Sequence, residues 1–218
     1  MKVKLITLMT LGFAVSAQAV VTLSFKNWTD ASLSGATGAL PICDSAGVPI
    51  SNAAGFQTVW GSAGYFTSLP NFATATPSQI LSQFVPLDNL GIVGVATRPG
   101  LFNATDYSDN AAVNFPAGFS GKQVFIVFGD APDVKANSTK IAVFDGGSVF
   151  NTYTTGGAQN VIFGISSVYG AITPLTAQPQ TGATPSAFAN GVQLVVPEPS
   201  AALLGALGVL GLLRRRRI

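Results

Sequence analysis

Residues 122–128 read Lys122-Gln123-Val124-Phe125-Ile126-Val127-Phe128. From Val124 to Phe128 every side chain is apolar, and Gly129-Asp130 follows with turn chemistry. A continuous β-branched and aromatic run of this length predicts a strand near the centre of a sheet, covered on both faces. A second run, 140–144 (KIAVF), lies just downstream and ends in Asp145-Gly146-Gly147, which predicts another turn.

Further strands are expected outward from this pair. Residues 20–28 (VVTLSFKNW) alternate Val21, Leu23 and Phe25 against Thr22, Ser24 and Lys26, the period of a half-buried strand. Residues 56–60, 91–96, 161–165 and 191–196 are shorter candidates, separated by Gly, Ser, Thr, Asn and Pro. Residues 38–50 (GALPICDSAGVPI) resemble a hairpin with an Asp-x-x-Gly turn from Asp44 to Gly47. One helix is predicted over 77–85. Thr76 is its N-cap, Pro77 occupies N1, Gln79 completes a capping box, Ile80, Leu81 and Phe84 form an apolar face, and Pro86 stops it. Residues 173–189, poor in bulky apolar side chains, predict a long surface loop. Seven or more short strands and one short helix give an all-β sandwich, with jelly-roll and Greek-key variants both open.

Composition is best judged without the ends. The 218 residues carry a formal charge of +2, but Lys2, Lys4 and Arg214 to Arg217 supply much of the basic total. Between Val20 and Val196 five basic residues face eight acidic ones, a net −3. Without a basic run, capture of nucleic acid is not expected. No histidine occurs and Cys43 is the single cysteine, so an intrachain disulfide, a His/Cys zinc site and His-dependent nucleophilic catalysis are all excluded. No cofactor or metal is expected. A body of this size can rest on its apolar core alone.

Few residues remain for chemistry. Asp106 and Asp109 stand in what reads as a polar loop (NATDYSDN), and Asp130 and Asp133 flank Ala131-Pro132. Either pair could form a glycosidase dyad or give oxygen ligands to calcium; solvated turns are the plainer expectation. Trp28, Trp60, Tyr65 and Tyr107 could stack on sugar rings if exposed. Cys43, in an apolar context, is expected to be a buried inert thiol.

The two ends are the most specific part of the sequence. Residues 1–19 combine Lys2 and Lys4, an apolar stretch over 5–15, and Ala17-Gln18-Ala19. That is the pattern of a secretory signal helix, with small residues Ala17 and Ala19 for signal peptidase and cleavage after Ala19. A retained N-terminal anchor or a core helix is the alternative. At the other end Pro197-Glu198-Pro199 is stiff and extended. Thirteen uncharged residues, 201–213, follow and would span about 20 Å as a helix, short of a bilayer core. Arg214, Arg215, Arg216 and Arg217 then form a stop-transfer cluster.

These last 22 residues resemble the PEP-CTERM sorting signal of Gram-negative bacteria, which has a Pro-Glu-Pro triad, a short apolar helix and a terminal arginine cluster in that order. The resemblance implies that an exosortase recognises Pro197, Glu198 and Pro199 and cleaves near them, so that the chain is a substrate. A plain C-terminal anchor is the alternative. More loosely, residues 64–67 (GYFT) and the strand pair between Lys122 and Phe144 are similar to secreted proteins bearing such tails, which implies no activity.

The expected organisation is therefore a signal peptide (1–19), an extracytoplasmic β-sandwich (20–196) and a sorting signal with a short membrane helix (197–218). The expected function is a non-enzymatic surface or matrix protein associated with exopolysaccharide or biofilm. Signal peptidase, the secretion machinery, an exosortase and, before processing, the membrane would be its partners. A carbohydrate-binding or carbohydrate-active module on the same scaffold is the other expectation; the fold class does not choose between them.

Overall fold

A computed structural model of the chain describes residues 20–26, 40–50, 59–87, 92–93, 100–101, 103–109, 112, 114–162, 167–177 and 188–194. In chain order its elements are β1 (Val21–Lys26), β2 (Ile42–Cys43), β3 (Trp60–Phe66), α1 (Pro77–Gln83), β4 (Phe84–Pro86), β5 (Ile92–Val93) and β6 (Asn103–Asp109). Then come β7 (Gln123–Gly129), α2 (Val134–Asn137), β8 (Ile141–Val149), β9 (Gly157–Ile162), β10 (Ser167–Tyr169), β11 (Ala171–Pro174) and β12 (Asn190–Gln193). The described structure is mostly β-sheet with two short helices, one more than the sequence suggested.

The largest sheet has the order β10-β8-β7-β3-β4, with β5 also paired to β3. β7 is its middle strand, as its apolar run predicts. Val124, Ile126 and Phe128 point into one core cluster, and Phe125 and Val127 into the other. β8 divides in the same way, Ala142 and Phe144 to the first cluster and Ile141 and Val143 to the second. Two three-stranded sheets, β6-β1-β9 and β11-β12-β2, contribute Val21, Leu23, Phe25, Val161, Ile42 and Val192 to the first cluster. The opposite face is covered by Ile80 and Leu81 of α1 and Val134 of α2, with Phe66 and Phe84. Burying both faces of one sheet requires the near-continuous apolar sequence that β7 has.

Several elements follow the sequence closely. β1 alternates buried and half-buried residues along its whole length. It pairs antiparallel with β6 and parallel with β9, so it is the middle strand of its sheet. Asp44 makes the expected turn. Its Oδ1 accepts from the N–H groups of Ala46 and Val48 at 2.9 and 2.8 Å, and Gly47 takes φ +76°. At the start of α1 both halves of the capping box are formed.

Other elements depart from it. The strand expected at 56–60 runs instead from Trp60 to Phe66, through Gly61, Ser62, Ala63 and Gly64. These small residues carry little β-propensity of their own; they form a strand because large rings from β7 and β4 lie over them. α1 ends at Gln83 rather than 85, because Phe84, Val85 and Pro86 pair with Phe66, Tyr65 and Gly64 of β3. Asp145-Gly146-Gly147 does not end its strand. β8 continues to Val149 across a register shift opposite Val124, with Gly147 at φ +65°, so the turn-like triplet builds a bulge. The polar segment 103–109 is strand β6, not a loop.

Residues 173–189 begin in strand β11, which pairs antiparallel with β12. Leu175 N–H then reaches Ala189 O at 3.0 Å, closing the ends of the intervening stretch. β9 lies at 157–162, earlier than the expected 161–165, whose last three residues are outside the described ones. β12 occupies 190–193, one residue ahead of the expected 191–196. β5 falls inside the expected 91–96, the remainder of which is not among the described residues.

Candidate functional site

The residues expected to carry sorting lie outside the described ones. They are Ala17 and Ala19 at the N-terminal end, and Pro197, Glu198, Pro199 and Arg214 to Arg217 at the C-terminal end. No helix among the described residues is long and apolar enough to cross a membrane. In sequence, the described body runs up to both segments. Val20 precedes β1, and its carbonyl accepts from Gly157 N–H at 2.7 Å. Leu194 follows β12, is buried in the first core cluster, and stands three positions before Pro197.

Asp130 and Asp133 each have a structural partner set. Asp130 Oδ1 accepts from the N–H groups of Thr139 (2.8 Å) and Lys140 (3.1 Å), and Oδ2 accepts from Thr139 Oγ1 at 2.9 Å. Partial burial works to raise its pKa, but these hydrogen bonds outweigh it and leave the carboxyl below its ordinary range. Asp133 is the N-cap of α2, accepting from Ala136 N–H at 2.9 Å. The pair thus closes the connection from β7 to β8.

Asp106 and Asp109 both fall on β6. Asp106 stands where the β1–β6 register shifts, between Thr105 opposite Ser24 and Tyr107 opposite Leu23. Asp109 ends β6, accepting from Ala112 N–H at 3.1 Å and from Tyr107 Oη at 3.4 Å. Among the described residues no three His, Cys, Asp or Glu side chains come close enough together to hold a metal ion.

Of the aromatics expected as sugar platforms, Trp60, Tyr65 and Tyr107 are half-buried. Trp60 packs on the second core cluster and Tyr107 on Phe115. Tyr65 meets Phe119 edge-on at 5.0 Å, with Lys122 Nζ 5.9 Å from its ring centre. Trp28 is outside the described residues. Cys43 is 1% exposed, and its thiol is pushed up to about 11, first by burial and then by the charge of Asp44. A thiol held neutral in this way is a poor nucleophile.

One set of residues had no functional signal in the sequence. Gln79, expected only to cap α1, lines a surface cleft with Gln83 and Asn71. Its chemistry depends on which way each amide is turned, and a one-dimensional pattern does not carry that. Comparison with protein-family models, with curated proteins and with solved structures finds no match for this chain.

Proposed function

We propose that the chain is an exported structural protein of the cell surface or extracellular matrix, processed by an exosortase. The observation that carries this is the ordered sequence Pro197-Glu198-Pro199, the uncharged run 201–213, and Arg214 to Arg217. A stiff recognition element, a helix too short for a stable span and a charge cluster that resists translocation make a signal suited to removal. Signal peptidase acts after Ala19, the exosortase near the triad, and the membrane holds the chain between the two events. The body, a sandwich of jelly-roll or Greek-key type, is left at the surface among exopolysaccharide.

Two features of the body support a non-enzymatic role. The carboxylates of Asp130, Asp133 and Asp44 are committed to turns and caps, and the thiol of Cys43 is enclosed. The shared core between the large sheet and the two small ones supports the sandwich assignment.

The intact mass and terminal sequences of the protein recovered from its native host test the proposal. The expected product starts at Val20 and has lost the residues beyond the Pro-Glu-Pro region. A recovered chain that still ends in Ile218 overturns the processing scheme in favour of a permanent anchor.

A further inference from the structure

Between the segment 67–75 and the outer face of α1 runs a cleft of about 440 Å³. That is within the range of small-ligand sites. α1 presents Gln79, Ser82 and Gln83 to it, since positions three and four apart share a helix face. Ser68, Asn71 and Thr74 line the other side. No charged side chain occurs anywhere from Ser45 to Leu87, so the lining is neutral amide and hydroxyl chemistry set in an uncharged stretch.

The amides are oriented. Gln79 Oε1 accepts from Thr76 N–H at 2.8 Å, and Asn71 Oδ1 accepts from Ala73 N–H at 3.2 Å. A backbone N–H can only donate, so each of these carboxamides must turn its oxygen inward and its NH₂ away. The Gln83 amide meets Thr67 Oγ1 at 2.8 Å, a hydroxyl that can donate or accept, so only the Gln79 and Asn71 amides have their orientation fixed. The inward oxygens have internal partners; the NH₂ groups make no hydrogen bond among the described residues.

Both walls are held from behind. Phe72 packs edge-on against Phe66 at 5.6 Å and lies 6.4 Å from Phe125, tying the segment to the sheet. Thr74 and Ala75 N–H groups both reach Asn71 O, and Thr67 N–H reaches Gln83 O at 2.9 Å. Donors fixed in advance lose little freedom on binding.

From this geometry we infer that the cleft is a binding site for an uncharged polysaccharide chain. Oriented NH₂ donors require acceptor oxygens, which ring ethers and hydroxyls supply densely; the hydroxyls of Ser68 and Thr74 can complement either role of a sugar hydroxyl, and Ser82, whose proton goes to Gln79 O at 2.7 Å, can accept. An acidic chain would find no cation in this lining. The inference is independent of the sorting scheme, and the two fail separately.

Calorimetric titration of the full chain in detergent with dextran, galactomannan and hydroxyethylcellulose tests it, with polygalacturonate as the acidic comparison. The double variant Asn71→Asp/Gln79→Glu keeps both inward acceptors and removes both NH₂ donors. Binding to at least one neutral chain is expected, weakened at least tenfold in the double variant with no fall in its urea midpoint. Ser82→Phe, which blocks the cleft from an exposed helix position, should give the same loss. Three results overturn the inference: no neutral chain binds, both variants bind as the parent does, or polygalacturonate binds more tightly than every neutral chain.

Discussion

Gly61 lies directly under the ring of Phe128. A Cβ at position 61 would stand 2.7 Å from Phe128 Cε1 and 3.0 Å from Cδ1. The ring has no room to yield, because Phe25 and Phe144 both meet it edge-on, at 6.4 and 5.8 Å, and it is fully buried. β3 therefore passes beneath the Phe128 ring of β7 only because it lacks a side chain of its own there.

Gly61→Ala should accordingly destabilise the body by about 1–3 kcal/mol, the usual cost of overpacking a filled core. The urea midpoint of the variant measures this. Phe128→Leu alone should also lower the midpoint, by leaving a void. Combined, the two should cost clearly less than their sum, since the smaller side chain at 128 vacates the space that a methyl group at position 61 needs. Additive costs would show that the contact between these two positions is not what keeps residue 61 a glycine.

The same pair shows where the sequence was legible and where it was not. β7 could be read directly, because burial on both faces demands an unbroken apolar run and little else produces one. β1 could be read from its alternation, and the start of α1 from Thr76-Pro77-Ser78-Gln79, because those signals are local. β3 could not. Its Gly-Ser-Ala-Gly centre is selected by rings that approach from β7 and β4, and no window of the sequence brings those residues together. β6 was hidden by its polar composition, NATDYSD lacking an apolar alternation. Asp145-Gly146-Gly147 misled because a bulge and a turn use the same residue types for the same reason, tolerance of positive φ. The cleft residues were visible as identities only; the inward turn of Asn71 and Gln79 is a tertiary fact.

The capping box can be tested apart from the cleft. Thr76→Ala removes the acceptor for Gln79 N–H, now 3.3 Å from Thr76 Oγ1, and should cost about 1 kcal/mol. Gln79→Glu keeps the reciprocal bond to Thr76 N–H and adds a negative charge in the first turn, where the helix dipole favours it by roughly 0.3–1 kcal/mol. Thermal melts of the two variants should therefore shift in opposite directions. A drop in both would mean that the Gln79 NH₂ also contributes to folding.

Acid should weaken the β7–β8 connection through Asp130. Its carboxyl is held below its ordinary value of 3.8, so the folded state binds that proton less readily than the unfolded chain does. The resulting stability is present in full above the unfolded value and is lost as pH falls through the folded one. Parent and Asp130→Asn should thus differ most near neutrality and converge on acidification below about pH 4. Because Asp130 is only partly buried and solvent screens it, the difference at neutral pH is expected to be on the order of 1 kcal/mol. Urea midpoints from pH 2 to pH 7 decide it, and a gap that stays constant through that range would show that the ionisation of the Asp130 carboxyl is not its source.

Cys43 offers the sharpest reading of core integrity, because it is the only thiol in the chain. In β2 it is 1% exposed, and burial, followed by the Asp44 charge, raises its pKa to about 11. A free thiol of pKa about 8.5 is substantially ionised at pH 8 and reacts readily with a disulfide reagent. Here both access and ionisation oppose the reaction. Ellman's reagent at pH 8 should label the native protein at least a hundredfold more slowly than the urea-unfolded chain, and unfolding should release one equivalent. Because β2 pairs with β12, the strand just ahead of Leu194, destabilising the second strand should expose the thiol before global unfolding. Val192→Ala, at a fully buried position opposite Ile42, is the variant to use. Its labelling rate should rise by a larger factor than that of Gly61→Ala, at matched loss of stability, because only the first loosens the ladder that covers Cys43. Equal rates in the two variants would mean that the thiol is reached solely through global unfolding.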